Sequence, residues 1–371
     1  MYAAPFFELV KAGLWNRQAH LAAFAPVDFH AVYRLACQQQ VVGLVAEGLG
    51  RVADAKIEMD LLTPFLGDTA KLEQRNRAMN SFIAQLFSLF RHNGVNAVLV
   101  KGQGIAQCYR QPLWRACGDI DLLLSPADYQ RAKKNLSSKA DSIVEEDARR
   151  MHVGLVMGPW IVELHGTLNQ KFLPRTNAML AALQRQVMEQ NGTRLWNDND
   201  IPVPLPSADT DIIFIFSHIL EHFFEHGIGL RQLCDWCRLL HTHGSAISRQ
   251  LLGERLRAMG LMSEWQAFAA FAVLHLGMPE SEMPFFSGSR KWRRKADRIR
   301  AYVLRYGNFG HNVDWSYLAE APFLKRKLRS FANTFSESLR QFLIFPVDTI
   351  PVWLRRTAEA LRKVANKERD L

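Results

Sequence analysis

The sequence is poor in several features that would place a chain in a class at once. Cysteine is scarce: there are five, Cys37, Cys108, Cys117, Cys234 and Cys237, an odd and scattered set. That argues against a disulfide framework and for a reducing compartment, so the expected location is cytoplasmic. Long hydrophobic runs are missing. The most apolar segment, DIIFIFSHILEHFFEHGIGL, is interrupted by His218, Glu221, His222, Glu225 and His226. A membrane span needs roughly 20 apolar residues with few charges, so no integral membrane association is expected. The opening MYAAPFFELVKAGLW lacks the basic start and apolar block of a signal peptide, and none is expected. There is no G-x-G-x-x-G leading into a long helix and no Walker A sequence, which argues against the two commonest nucleotide-binding loops. No internal repeat or low-complexity tract occurs.

What is present is a chain of 371 residues, 48% apolar, with a formal charge of +10. The length predicts two or three domains, or one core with large flanking lobes. The charge suits an anionic partner: nucleotide, nucleic acid and membrane surface all fit the sign. The positive charge is concentrated late, in SRKWRRKADRIRAYVLR, LKRKLR and WLRRTAEALRKVANKE. Nucleic acid bound through this basic C-terminal region is one reading; solvated helix faces are the simpler one. CDWC at 234–237 has redox or zinc spacing but no second pair nearby, so two thiols packed on a helix are expected.

Periodicity divides the chain into three regions. Residues 1–93 have apolar spacing typical of helices, ending before Gly94. The pattern then shortens. VNAVLV reads as a strand, GIAQCYR as one or two helical turns, and DIDLLL as a second strand. SPADYQRAKKNLSSK opens with Ser-Pro, a good N-cap and first-turn pair for a helix. DSIVEE, RRMHVGLVMG and Ile161–His165 are further strand candidates. From 171 onward the signal is helical again, with a turn-rich connector, NDNDIPVPLPSAD, before the first long C-terminal helix. The expected fold class is therefore α+β: a small mixed β-sheet core at 94–170, flanked by N-terminal helices at 1–93 and a large helical C-terminal region at 171–371. The strands do not alternate regularly with helices, so a doubly wound sheet is not expected.

The chemistry concentrates in the core. Side chains alternate along a strand, so Asp119 and Asp121 share a face. Two adjacent carboxylates repel unless a cation or protons lie between them. Mg2+ takes oxygen ligands, commonly one or two carboxylates together with substrate phosphates. Glu163, on the strand candidate at 161–165, supplies a third acid. Three acids on neighbouring strands suit two-metal phosphoryl and nucleotidyl transfer. Lys101, Gly102 and Gly104 close the first strand, where glycines permit close backbone approach to a phosphate and the lysine supplies charge.

At these residues the chain resembles the nucleotidyltransferase superfamily with the polymerase-β-type core, in its branch of uncharacterised bacterial nucleotidyltransferases. Members of that branch show Lys-Gly at the end of the first strand, then a Tyr, an Arg four residues before the first Asp, and Asp-Ile-Asp-Leu-Leu. The matching residues are Lys101-Gly102, Tyr109, Arg115 and Asp119 to Leu123. A downstream acid-Leu-His is matched by Glu163-Leu164-His165. A helical histidine segment followed by Leu-Arg and an Asp is matched by HILEHFFEHGIGLRQLCDWCRLL, with His222, Arg231 and Asp235; YGNFG and FLIFP are also similar. The wider superfamily carries Gly-Ser at the phosphate loop, where this chain has Lys-Gly-Gln-Gly. Either Lys101 and Gln103 take over that role, or nucleotide binding differs or is absent.

The resemblance implies a metal-dependent transferase moving an NMP group from an NTP to a hydroxyl on a small molecule, a protein or an RNA end. Asp119, Asp121 and Glu163 would be catalytic and hold two Mg2+ ions, with Mn2+ as a substitute; Glu163 acts as ligand or general base. Lys101, Gly102, Gln103, Gly104 and Arg115 would bind the nucleotide phosphates. His165, His222, Arg231 and Asp235 would lie on the substrate side of the cleft. The rival is a nucleotidyltransferase scaffold that has lost catalysis and serves as a binding or regulatory protein. A basic nucleic-acid-binding protein is a third class, resting on charge alone.

Overall fold

In the computed structural model the described residues are 3–170, 174–189, 192–198, 201–225, 227–307 and 323–365. The chain opens with four helices: α1 (Ala3–Trp15), α2 (Phe29–Gln38), α3 (Val42–Leu49) and the long α4 (Met59–His92). The core follows as β1 (Ala97–Val100), α5 (Gly102–Ala106), β2 (Asp119–Leu124), α6 (Pro126–Ser137), β3 (Ser142–Asp147), β4 (His152–Met157) and β5 (Trp160–His165). Ser125 caps α6 by accepting from the Asp128 amide, as the Ser-Pro pair predicts. After α7 (Pro174–Glu189) come β6 (Thr193–Asp198) and β7 (Ile201–Pro206). The rest is helical: α8 (Ala208–Glu225), α9 (Leu230–His243), α10 (Arg249–Ala258), α11 (Met262–Leu276), α12 (Arg290–Tyr306), α13 (Phe323–Phe342) and α14 (Pro346–Ala365). Among the described residues no helix is long and apolar enough to cross a membrane.

The core strands form one mixed sheet in the order β1-β2-β5-β4-β3. The only parallel pairing in it, among the described residues, joins β2 to β5; the others are antiparallel. The α+β class expected from the sequence is therefore the observed one. The two sheet faces are chemically different. On one, Leu99, Ile120, Leu122, Leu155, Val162 and Leu164 pack against the second half of α4 and against α6. On the other, Val98, Val100 and Leu123 join a larger core built from α1–α3 and the C-terminal helices. Asp119, Asp121, Glu163 and His165 belong to this second face by strand alternation.

One local expectation changes. The segment read as a turn-rich connector contains β7, which pairs with β6 in a separate antiparallel hairpin. Prolines lack the N–H a ladder uses, which makes such a run look unlike a strand. Here Pro202, Pro204 and Pro206 fall at every second position, while Val203 and Leu205 between them are buried in the sheet core. A two-stranded ladder needs donors from alternate residues only, so the prolines are tolerated on its other side.

Candidate active site

The parallel register sets Asp121 directly beside Glu163 and Leu123 beside His165. The hairpin of β4 and β5 sets His152 beside His165. Strand alternation thus brings Asp119, Asp121, Glu163, His165 and His152 onto one face. Lys101 enters from the end of β1, whose last residue, Val100, is paired with Asp121. Its backbone lies at φ 59° and ψ −146°, a conformation that L residues rarely adopt. Gly102 follows at φ 42°. This sharp turn points the Lys101 ammonium at Asp121, with Nζ 2.9 Å from Oδ1.

His165 Nε2 lies 2.9 Å from the same Asp121 oxygen and 3.4 Å from Glu163 Oε2. His152 Nε2 lies 3.4 Å from that Glu163 oxygen. Burial opposes charge on Lys101, Asp119, Asp121, Glu163 and His165. For Asp121 it is outweighed by Lys101 and the His165 hydrogen bond, which hold the carboxyl below its ordinary range. For Glu163 burial is outweighed by hydrogen bonds from His152 and His165, so it stays firmly ionised. Against burial, the bonds to Asp121 and Glu163 raise the pKa of His165. Asp119 goes the other way: the Asp121 charge, burial and Glu163 push it up to about 6. No hydrogen bond or ion pair reaches the Asp119 carboxylate among the described residues.

Two adjoining cavities flank these groups. One, of about 190 Å³, is lined by Asp119, Asp121, Glu163, Arg115, Arg231 and His218. The other, about 380 Å³, is lined by Glu163, His152, His165, Glu145, Glu221 and Arg150, among others. Lys101, Glu163, His218 and His222 border both. Asp119 and Arg231 also border a third, outer cleft with Asp68, Lys71 and Arg75.

The remaining residues singled out in the sequence divide between cleft and frame. Arg115 borders the smaller cavity, but its guanidinium is held by Asp235 in a buried two-point pair, at 2.9 and 2.6 Å. Tyr109 donates to the same carboxylate at 2.7 Å. Gln103 is buried away from the acids, its Nε2 donating to Asn76 Oδ1 on α4 at 2.8 Å. Gly104 serves packing: a Cβ there would stand 2.8 Å from Leu205 Cδ2 of β7. Gly102 borders the smaller cavity. Arg231 donates to the Ala116 carbonyl at 2.8 Å and faces Asp119's cleft. His222 and His218 stand one helical turn apart on α8 with their Nε2 atoms 2.9 Å apart; burial, then Lys101, keep His218 neutral. His226, and Asn308 to Gly310 of YGNFG, lie outside the described residues.

Cys234 and Cys237 are fully buried on α9, and burial raises both thiol pKa values; the pair is packed, as expected. Trp292 in the basic α12 is buried, with Lys291 and Lys295 over its ring. Sequence reasoning missed His152 and Arg75. Arg75 donates to the Gly118 carbonyl and stacks 5.1 Å over Trp160, bracing the start of β2.

Residues 25–277 match the model of a family described as uncharacterised nucleotidyltransferases. The chain belongs to that family. The matched span runs from the entry to α2 to the end of α11, so it takes in the acids, the α8 histidines and Asp235 alike. A solved structure of an antigenic nucleotidyltransferase-like protein from Paracoccidioides brasiliensis aligns with 14% identity and a TM-score of 0.29, covering 44% of this chain and 75% of that one. No curated protein matches the sequence.

Proposed function

We propose that this member of the family is a metal-dependent transferase that moves an NMP group from an NTP to a hydroxyl acceptor. The carrying observation is Asp119: a carboxylate in a cleft, raised to about 6 by its neighbour Asp121 and without a partner among the described residues. Such a charge invites a cation. The donor set fits Mg2+, since Asp119 and Asp121 offer hard oxygen ligands beside a cavity open to substrate phosphates. When bound there, the ion would neutralise phosphate charge and ease ionisation of the acceptor hydroxyl; Mn2+ suits the same oxygens.

The two ends of the cleft differ in charge, and this orients the substrates. Arg231, Arg75 and Lys71 gather at the outer cleft beside Asp119 and suit the triphosphate. Around the larger cavity Glu145, Glu163, Glu221, Glu225 and Glu359 outnumber Lys101, Arg150 and Arg355, so it suits the acceptor better than a phosphate. The acceptor oxygen attacks the α-phosphorus. Its new P–O bond forms as the bond to the bridging oxygen of pyrophosphate breaks, and pyrophosphate leaves with that electron pair. Lys101 stands where it can offset charge on the transferred phosphoryl group. Glu163, held firmly ionised, is better suited to ligand than to base. His218 and His222 border both cavities; burial and Lys101 make His218 a weak base, so it suits a hydrogen bond to the acceptor, whose proton passes to water.

Incubating the protein with labelled NTPs, Mg2+ and candidate acceptors tests this. Label transfer that disappears in Asp119→Asn and Asp121→Asn is expected. Unchanged transfer in both variants would sink it. One observation favours the scaffold reading: Lys101 Nζ and His165 Nε2 each lie 2.9 Å from Asp121 Oδ1, so that oxygen has protein partners of its own. Calorimetry with each NTP in Mg2+ decides, because a scaffold that has lost the nucleotide gives no heat.

A further inference from the structure

We propose that His152, Glu163 and His165 bind a first-row transition divalent ion, Zn2+ above all, as a site chemically distinct from the Asp119–Asp121 pair. The three side chains come from the antiparallel strands β4 and β5, and their ligand atoms all lie within 4.8 Å of one another. The spacing is informative. Each histidine Nε2 lies 3.4 Å from Glu163 Oε2. The spacing of these hydrogen bonds is longer than the common span of about 2.7–3.2 Å for a nitrogen and an oxygen. It matches two ligands on one ion: donors ~2.1 Å from a metal at a tetrahedral angle stand ~3.4 Å apart.

The donor types point to the metal. Mg2+ prefers oxygen alone, whereas imidazole nitrogens suit Zn2+ and its first-row neighbours. Two histidines and a glutamate, with a fourth position open, are a ligand set of catalytic Zn2+. The fourth position here would face the larger cavity, which has a volume of about 380 Å³ and carries Glu145, Glu221 and Glu225 on its walls. Glu221 and Glu225 are paired with Arg150 and Arg355, but acidic side chains still outnumber basic ones on these walls, which favours entry of a cation. His165 Nε2 is shared at present between Glu163 and Asp121. Committing its lone pair to the ion leaves Asp121 with Lys101 as partner. The ion would lie on the acceptor side of the cleft, so the transferase would use two different metals: an oxygen-ligated one for the nucleotide and an imidazole-ligated one for the acceptor. That role rests on the transferase reading; the binding does not.

The test is a Co2+ titration of the metal-free full chain without nucleotide, followed by visible d–d absorption and by Zn2+ competition. One saturable Co2+ per chain is expected, displaced by Zn2+ and not by a large excess of Mg2+. His152→Gln should weaken Co2+ binding by at least ~10-fold, the lower end of the effect of losing even an outer-shell partner. Asp119→Asn should leave it intact while abolishing nucleotide transfer, so the two proposals fail separately. No saturable absorption, displacement by Mg2+, or unchanged Co2+ affinity in a folded His152→Gln would each overturn the site. The first of these outcomes would make the histidines a hydrogen-bonded relay to Glu163.

Discussion

Arg115 and Asp235 are joined across 120 residues by a two-point salt bridge in which both side chains are 5% exposed. The pair ties the loop before β2 to α9, and Tyr109 completes it. Removing one partner strands a buried charge, which typically costs about 3–5 kcal/mol. Asp235→Ala should therefore lower the unfolding free energy by about that amount in a denaturant titration. Tyr109→Phe, which keeps the ion pair, should cost about 1 kcal/mol. A near-neutral Asp235→Ala would mean that the pair contributes little to holding the core on the helical region.

The turn at Lys101 and Gly102 is a second sensitive point. Gly102 has φ 42°, and a Cβ there would meet Cys117 Sγ at 3.2 Å. Gly102→Ala should destabilise the protein by about 1–2 kcal/mol through the backbone alone. It should also move the Lys101 ammonium from Asp121. Thermal unfolding reads the first effect. NTP turnover, lost more steeply than stability explains, reads the second.

Much of this site was legible because strands have a fixed period. Asp119 and Asp121 had to share a face, and Glu163 had to join them if its strand lay alongside. The helices were readable from apolar spacing, from α7 to α14. Other features depend on contacts that no local pattern carries. Gln103 sits in a glycine-rich loop but is drawn into the interior by Asn76 on α4, which also holds the carbonyls of Leu113 and Arg115. Arg115 looks like a phosphate ligand until Asp235 arrives from α9. His152 was within reach: Gly158 and Pro159 form a tight turn with Met157 paired to Trp160, and counting five residues away from the turn on each side sets His152 against His165. β7 was hidden by its own prolines.

Stability should fall as pH rises toward the weakly basic range, because of Glu264 on α11. Burial first, then its hydrogen bond to Asp348 and the Asp348 charge, raise its pKa from 4.5 to about 8. Arg175 holds Asp348 at 2.7 Å. A carboxyl with a raised folded pKa contributes its full stability below the unfolded value. That contribution shrinks between about pH 4.5 and about pH 8, where the unfolded chain releases a proton that the folded one keeps. The slope approaches ~1.4 kcal/mol per pH unit at most. Urea titrations across that range should show the decline in the wild type and its loss in Glu264→Gln. Parallel curves would mean that Glu264 ionises freely in the folded protein.

Asp119 should show opposite effects on stability and activity. Its pKa of about 6 lies above the ordinary 3.8, with the Asp121 charge as the largest cause and burial and Glu163 behind it. The sign follows as for Glu264: the metal-free protein loses stability as pH rises from about 4 to about 6, and the loss is complete at pH 7. Asp119→Asn removes that charge, so the metal-free variant should be more stable than wild type at neutral pH by about 1–3 kcal/mol. The same substitution takes away a Mg2+ ligand and should abolish nucleotide transfer. Adding Mg2+ should then reverse the order: a cation that binds only the folded state stabilises by mass action, and it would do so in the wild type and not in the variant. Differential scanning fluorimetry with and without Mg2+ reads all of this. A variant less stable than wild type without metal, or equally stabilised by Mg2+, would mean that Asp119 is not the carboxylate awaiting an ion.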